Sequence, residues 1–435
     1  MMLKGVNMKK TSILIISIFL ILFAAAFVRA EEKNKIIYRE RQDDKVLTRI
    51  KEKREALQAK KDKVSEEIKK RQKKEKKTEK KKRMVLYTDL SGVYPPESME
   101  SFKTFFHFPP VPQYSTSTCW SFSATSFLES EVYRITGKKI ELSKMWAPYF
   151  ELIEKSRRFI RERGNSYVAG GAESNSVTRI WKTYGIVPEE VYSGVKGKEG
   201  KHDHEPLMKE IKGYLNYIKE NNLWDEEENL KHIRLILDKY MGEPPETFSY
   251  NGKTKTPLEF FKDEIGIDLD AYYSLMSTGY FPFYTRQEFK VPDNWWYSKE
   301  YINLPLDLWY EVIKNAIESG YTLVIGGDVS EPGKLGSHDI AFIPSFDIPG
   351  RYINQDSREY RIYNKTTEDD HGIHLVGYTR VKDKDWFLVK DSGRSSRKGK
   401  YKGYYFFRED FIKLKMLTLT LHKDMLKGIL PKIKN

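Results

Sequence analysis

The sequence predicts an α+β fold of two lobes, with helices in the first half of the globular part and short antiparallel strands in its last third. Three observations carry this. Apolar residues recur at helical spacing from Trp120 to Ile135 and in further segments before residue 315. Beyond residue 320, runs of β-branched and aromatic residues alternate with clusters of Gly, Asp and Lys. The chain's 435 residues suffice for two or three domain-sized units and a buried core, which excludes disorder of the whole chain.

The N-terminal elements account for the charge. The net charge is +14, from 76 Lys+Arg against 62 Asp+Glu. Residues 1–30 hold +4 and residues 31–84 hold +11, leaving −1 for residues 85–435. A near-neutral globular part argues against a nucleic-acid footprint in its fold. Lys9 and Lys10 precede an apolar run from Ile13 to Val28, broken only by Ser17, and Val28-Arg29-Ala30 follows. That is the layout of a signal peptide over residues 1–30, with cleavage after Ala30 and export of the rest as a secreted or periplasmic protein. An uncleaved membrane anchor is the alternative, although the run falls short of the ~20 residues that span a bilayer comfortably.

Residues 31–84 contain no Gly or Pro and favour helix. Ile50, Leu57 and Val64 repeat every seven residues with Leu47 and Ile68 in the other seam position, but Arg54 and Lys61 interrupt the seam. The basic run in residues 69–83 reads as a solvated helix or disordered spacer. Contact with an anionic surface, lipid or cell-wall polymer, is the functional alternative, and an inhibitory pro-segment the third.

Residues 85–424 form the globular domain, opened by an extended lead-in over 85–112. Helices are expected from Trp120 to Gly137, Lys144 to Arg163, Ser174 to Tyr184, Leu207 to Asn221 and Leu230 to Tyr240. The stretch of about 200–315 reads as a helical insertion. Strands are expected at Tyr321 to Ile325, His374 to Val381, Trp386 to Lys390, Gly403 to Phe407 and Met416 to His422. Residues 425–435 form a C-terminal tail.

Cys119, the one cysteine, excludes an intrachain disulfide and any multi-cysteine metal site. It stands where the first helix begins, and a helix N-terminus together with an imidazolium lowers a thiol's pKa as nucleophilic catalysis requires. Taken alone, a cysteine flanked by Trp and Phe reads first as a small buried hydrophobe. His107, His232, His338 and His422 are scattered and read as structural or exposed. The cluster His202-Asp203-His204-Glu205 matches no strong zinc spacing and reads as a solvated loop, so no metal and no cofactor are expected. Gly326-Gly327 and Gly170-Gly171 lack phosphate-loop spacing.

The string Gln113-Tyr-Ser-Thr-Ser-Thr-Cys119-Trp120-Ser121-Phe122-Ser123 closely resembles the active-site segment of papain-like cysteine peptidases. Other strings follow in the family's order: Glu141-Leu142-Ser143, Ala169-Gly170-Gly171-Ala172, Asp370-His371-Gly372, and Trp386 to Gly393. The Phe127 to Glu131 stretch, Tyr184 to Gly194 and the long insertion resemble the bleomycin hydrolase and aminopeptidase C branch. The resemblance covers most of residues 105–424. It implies a papain-like fold with a cleft between a helical and a β lobe, and a thiol protease with Cys119 as nucleophile and His371 as acid and base. Asp391 would orient the imidazole, Gln113 would hold the oxyanion, and Gly170 and Gly171 would align the substrate backbone. Peptides are the implied substrates, and an oligomer is in keeping with the family.

Two features depart from the family. Asp391 stands where most members have Asn, and Ser392-Gly393-Arg394 replaces Ser-Trp-Gly, so the Trp that shields the His–Asn contact is missing. In this branch the C-terminal residues lie in the cleft and leave room only for a free substrate N-terminus. Here Lys423 to Asn435 is long enough to reach a cleft but carries lysines, so it reads equally as gate or surface tail. The expectation is an exported hydrolase acting on peptides, aminopeptidase or endopeptidase, with a catalytically weakened peptide-binding protein as the alternative.

Overall fold

The computed structural model describes residues 38–82, 84, 88–196 and 200–434. The expected signal segment lies outside them. The chain divides into two units between residues 85 and 86. In the first, helix α1 (Lys45–Lys82) starts where Asp44 Oδ1 accepts the N–H groups of Val46 and Leu47. Pairs such as Lys51–Glu55 and Arg71–Glu75 support it at i,i+4 spacing. Leu47, Ile50, Leu57, Val64 and Ile68 are all exposed, so the interrupted seam packs against nothing described. Among the described residues no helix is long and apolar enough to cross a membrane.

The second unit opens with strand β1 (Lys103–Thr104) and the helical lobe. Helix α2 (Cys119–Thr136) buries Trp120, Ala124, Phe127, Leu128 and Val132 and ends at Gly137, whose φ of 73° suits glycine. Around it pack α3 (Trp146–Arg161), α4 (Asn175–Tyr184), α5 (Glu205–Glu220) and α6 (Glu226–Met241). Asp225 caps α6 by accepting Glu228 N–H. The hairpin β2 (Phe248–Tyr250) and β3 (Lys253–Lys255) and the short α7 (Pro257–Phe260) complete this lobe.

The insertion is not purely helical, which corrects the sequence reading. Strands β4 (Tyr272–Met276), β5 (Thr285–Gln287) and β6 (Tyr301–Asn303) leave it and join the main sheet. They are short and lie among aromatic loops, so no alternation marks them. Helix α8 (Leu306–Glu318) then buries Trp309, Ile313 and Ile317 against the sheet.

The sheet continues with β7 (Leu323–Gly327), β8 (Lys334–Leu335), β9 (Ile340–Ala341), β10 (His371–Val381), β11 (Lys384–Lys390), β12 (Tyr404–Arg408) and β13 (Met416–His422). Its order is β5-β6-β4-β13-β7-β10-β11-β12-β9-β8, with β1 also paired to β10. Pairing is antiparallel except between β4 and β6 and between β9 and β12. Helices α9 (Gln355–Tyr363) and α10 (Glu409–Lys415) connect its strands. Ile325, Ile373, Leu375 and Leu419 face the β-lobe core, whereas Val324 belongs to the core of the helical lobe. This alternation on the central strands β7 and β10 joins the lobes. It places the start of β10 beside the start of α2, because Gly372 has no side chain: a Cβ there would stand 3.0 Å from Ser123 Oγ and 3.4 Å from Trp120 Cα.

The overall arrangement is α+β, with a helical lobe and a β lobe as expected from the sequence. Its tail is fixed: Leu426 and Ile429 are buried in the β lobe, and Lys434 N–H donates to Tyr284 O.

Candidate active site

Cys119 occupies the first position of α2, half-exposed. The loop before it is held by Thr116, whose hydroxyl bonds Gln113 O (2.9 Å) and the Thr118 hydroxyl (2.6 Å). Gln113 is pinned to the other lobe twice. Its N–H donates to Ser392 O (3.0 Å), and its Oε1 accepts from Ser392 Oγ (2.7 Å). With the amide oxygen engaged, the Nε2 donor is left for a substrate oxygen.

His371 is the first residue of β10 and stands between two partners. Its Nε2 bonds Asp391 Oδ1 at 2.7 Å, which leaves Nδ1 for Cys119. Burial alone would lower the imidazole pKa, but the charges of Asp391 and Cys119 outweigh it and raise the value to about 10. Asp391 is fully buried at the end of β11. Burial opposes its charge, yet His371, Lys334 and the Gly393 N–H (2.6 Å) together hold its carboxyl well below the usual range. The main chain of Gly393 lies against the His371 ring, since a Cβ there would be 3.3 Å from Nε2. Backbone thus covers the His–Asp contact where the family's Trp is missing.

Sequence reasoning missed Lys334. Its ammonium lies 3.5 Å from Asp391 Oδ2, at 5% side-chain exposure, 3.3 Å from Ser395 Oγ and over the Tyr405 ring. It comes from β8, far upstream and outside any motif. His374, also on β10, is a different kind of histidine. It is fully buried, bonded through Nδ1 to Ser126 Oγ (2.9 Å), and packs on α2 with Gly372.

Gly170 and Gly171 stand on the facing wall. Trp120 Nε1 donates to Gly170 O (3.0 Å), tying that wall to the nucleophile's helix. Lys155 Nζ donates to Ala169 O (2.9 Å) and to Gly171 O. The Gly171 carbonyl, on a residue expected to align a substrate backbone, thus already has one partner within the chain. The open face of Gly171 is taken by Asp293, whose carboxylate oxygens a Cβ would overlap.

His202 and His204 are buried rather than solvated, because Ser115 and Asp203 pair the segment with the loop before Cys119. Among the described residues no group of three or more His, Cys, Asp or Glu could hold a metal ion. His107 bonds Phe105 O and Tyr404 Oη.

Residues 63–432 match the Peptidase C1-like family. Aminopeptidase C of Lactobacillus delbrueckii subsp. lactis is 23% identical over 374 residues, covering 72% of this chain and 79% of that protein. Aminopeptidase C of Lactococcus lactis subsp. cremoris is 22% identical over 358 residues, covering 73% and 81%. Among solved structures, PepW from Lactobacillus rhamnosis aligns with a TM-score of 0.63 at 19% identity, over 76% of this chain and 83% of that one, a likeness of fold.

Proposed function

The chain belongs to the Peptidase C1-like family and is a cysteine-type peptidase, and from that premise we propose that it is an exported aminopeptidase using Cys119, His371 and Asp391. The observation that carries the site assignment is the placement of His371 between Cys119 and the buried Asp391, 2.7 Å from its carboxylate.

In this reading the resting proton lies on His371. The Cys119 sulfur attacks the peptide carbonyl carbon, and the oxygen takes the negative charge beside Gln113 Nε2 and the Cys119 N–H. As the carbon–nitrogen bond breaks, His371 gives its proton to the leaving amine and a thioester remains. Water then loses a proton to His371 and attacks the thioester. The carboxylic acid leaves, and the sulfur and the imidazolium are restored. Asp391 fixes which ring nitrogen faces the sulfur and stabilises the cation.

Export is supported by the basic, apolar and small-residue order of residues 1–30. The solvated basic side chains of α1 from Lys69 to Lys80 support contact between residues 69–83 and an anionic surface. Aminopeptidase action is supported by the two relatives' shared name. The test is hydrolysis by the purified chain of aminoacyl anilides with free and acetylated N-termini. Cleavage favouring the free form is expected. Equal cleavage would make it an endopeptidase, and binding without cleavage would establish the peptide-binding alternative.

A further inference from the structure

A carboxylate stands on the glycine wall beside the nucleophile's helix. A Cβ on Gly170 would stand 3.1 Å from Thr116 O, so Gly170 lies against the loop that leads into Cys119. One residue on, the wall is closed by Asp293 from the loop after β5, stacked on Gly171.

Asp293 is half-buried and holds no hydrogen bond or ion pair among the described residues. Lys155 acts on it through space while its own donors serve the Ala169 and Gly171 carbonyls. Behind it, Glu173 is 5% exposed and its Oε1 is buried without a hydrogen-bond partner. Asp369, two residues before His371, lies beside it; burial raises both carboxyls above the usual range, Asp369 to about 7, and both feel Asp293. Asp293 and Asp369 line a cavity of about 680 Å³ whose wall carries more carboxylates than lysines. Burial raises these carboxyls above their usual range, and a cation entering beside them favours their charged forms.

We propose that the Asp293 carboxylate binds the α-ammonium group of the peptide substrate, so that the enzyme removes one residue at a time from a free N-terminus. This rests on the aminopeptidase reading and names the group that recognises the N-terminus. Among the described residues, none of 423–434 hydrogen-bonds or ion-pairs with Cys119, His371, Gly170, Gly171 or Asp293.

The full chain and its Asp293→Asn and Asp293→Ser variants are compared on leucyl anilide, acetyl-leucyl anilide and acetyl-arginyl anilide. The readout is the ratio of kcat/KM between free and acetylated leucyl substrates, in which the folded fraction cancels. Loss of a charge-assisted hydrogen bond lowers that ratio by about tenfold to a hundredfold, chiefly through KM, in both variants. A ratio near one in the wild-type chain overturns the aminopeptidase reading and this proposal together. A high wild-type ratio that survives both substitutions overturns the proposal alone. A preference for acetyl-arginyl over acetyl-leucyl substrate that Asp293→Asn abolishes also overturns it, by showing that the carboxylate reads a side chain.

Discussion

Replacing Cys119 by Ala abolishes hydrolysis, with kcat falling by about 10⁴-fold or more, because the covalent route loses its nucleophile and the remaining groups only bind and polarise the substrate. The fold survives. Cys119 is half-exposed at the end of a helix whose burial rests on Trp120, Phe127, Leu128 and Val132, so removing one sulfur leaves that packing intact. A urea titration should give the variant a midpoint close to that of the parent. His371 loses one of the two charges that raise its pKa to about 10, so its imidazolium titrates at lower pH in the variant. Residual hydrolysis within tenfold of the parent would place the nucleophile elsewhere.

The second large effect involves Asp391 and the lysine behind it. Asn is the residue most of the family uses at this position, yet Asp391→Asn is expected to lower kcat/KM by about 100-fold or more here, since loss of a triad carboxylate is of that order or larger. The reason is local. Lys334 lies 3.5 Å from Asp391 Oδ2, and both side chains are buried. The substitution leaves the Lys334 cation facing a neutral amide, and breaking such a buried pair costs about 3 to 5 kcal/mol of stability. The sign of the pH effect follows from the charges around His371. Those facing it are Asp391 and Cys119, with Lys334 behind Asp391 and Asp369 on its own chain segment. Removing the Asp391 anion takes away the larger charge that raises the imidazole, so the alkaline limb of activity moves down from about pH 10. Lys334→Met alone moves it up. The double variant Asp391→Asn with Lys334→Met therefore recovers stability and part of the pH range lost by the single one. Identical urea midpoints and pH profiles for the single and double variants would show that Lys334 has no part in the site.

Asp391 and its lysine also show what could be read in the chain and what could not. The thiol, the imidazole and Asp391 lie in short contiguous strings whose residue types and order carry their meaning, so positions 113–123, 370–372 and 386–393 were legible. Their supports are not contiguous with them. Lys334 reaches Asp391 from β8 across 57 positions, and Asp293 reaches Gly171 from the insertion; neither sits in a pattern. Tertiary packing alone brings them in. Five of the seven strands after residue 320 were visible because each lies in a run rich in β-branched, aromatic and other apolar residues, with ends shifted by up to three residues, whereas the two-residue strands β8 and β9 were not. The three-residue strands β5 and β6 are too short for any period to show. His202 and His204 were misread as solvated because their neighbours are Lys and Gly, although the segment is drawn in by pairing with Ser115.

The central claim is that the proton of the Cys119–His371 pair rests on the imidazole, and since Cys119 is the one cysteine in the chain, a thiol reagent reports on it alone. Iodoacetamide alkylation is followed from pH 5 to 9, with the adduct located by peptide mapping. A free cysteine, with a pKa near 8.5, is only about 0.3% thiolate at pH 6. The account predicts modification of Cys119 at pH 6 at least about 50-fold faster than free cysteine, and loss of that excess in Asp391→Asn with Lys334 in place. A rate that matches free cysteine at pH 6 and rises tenfold with each pH unit toward 8.5 would contradict it.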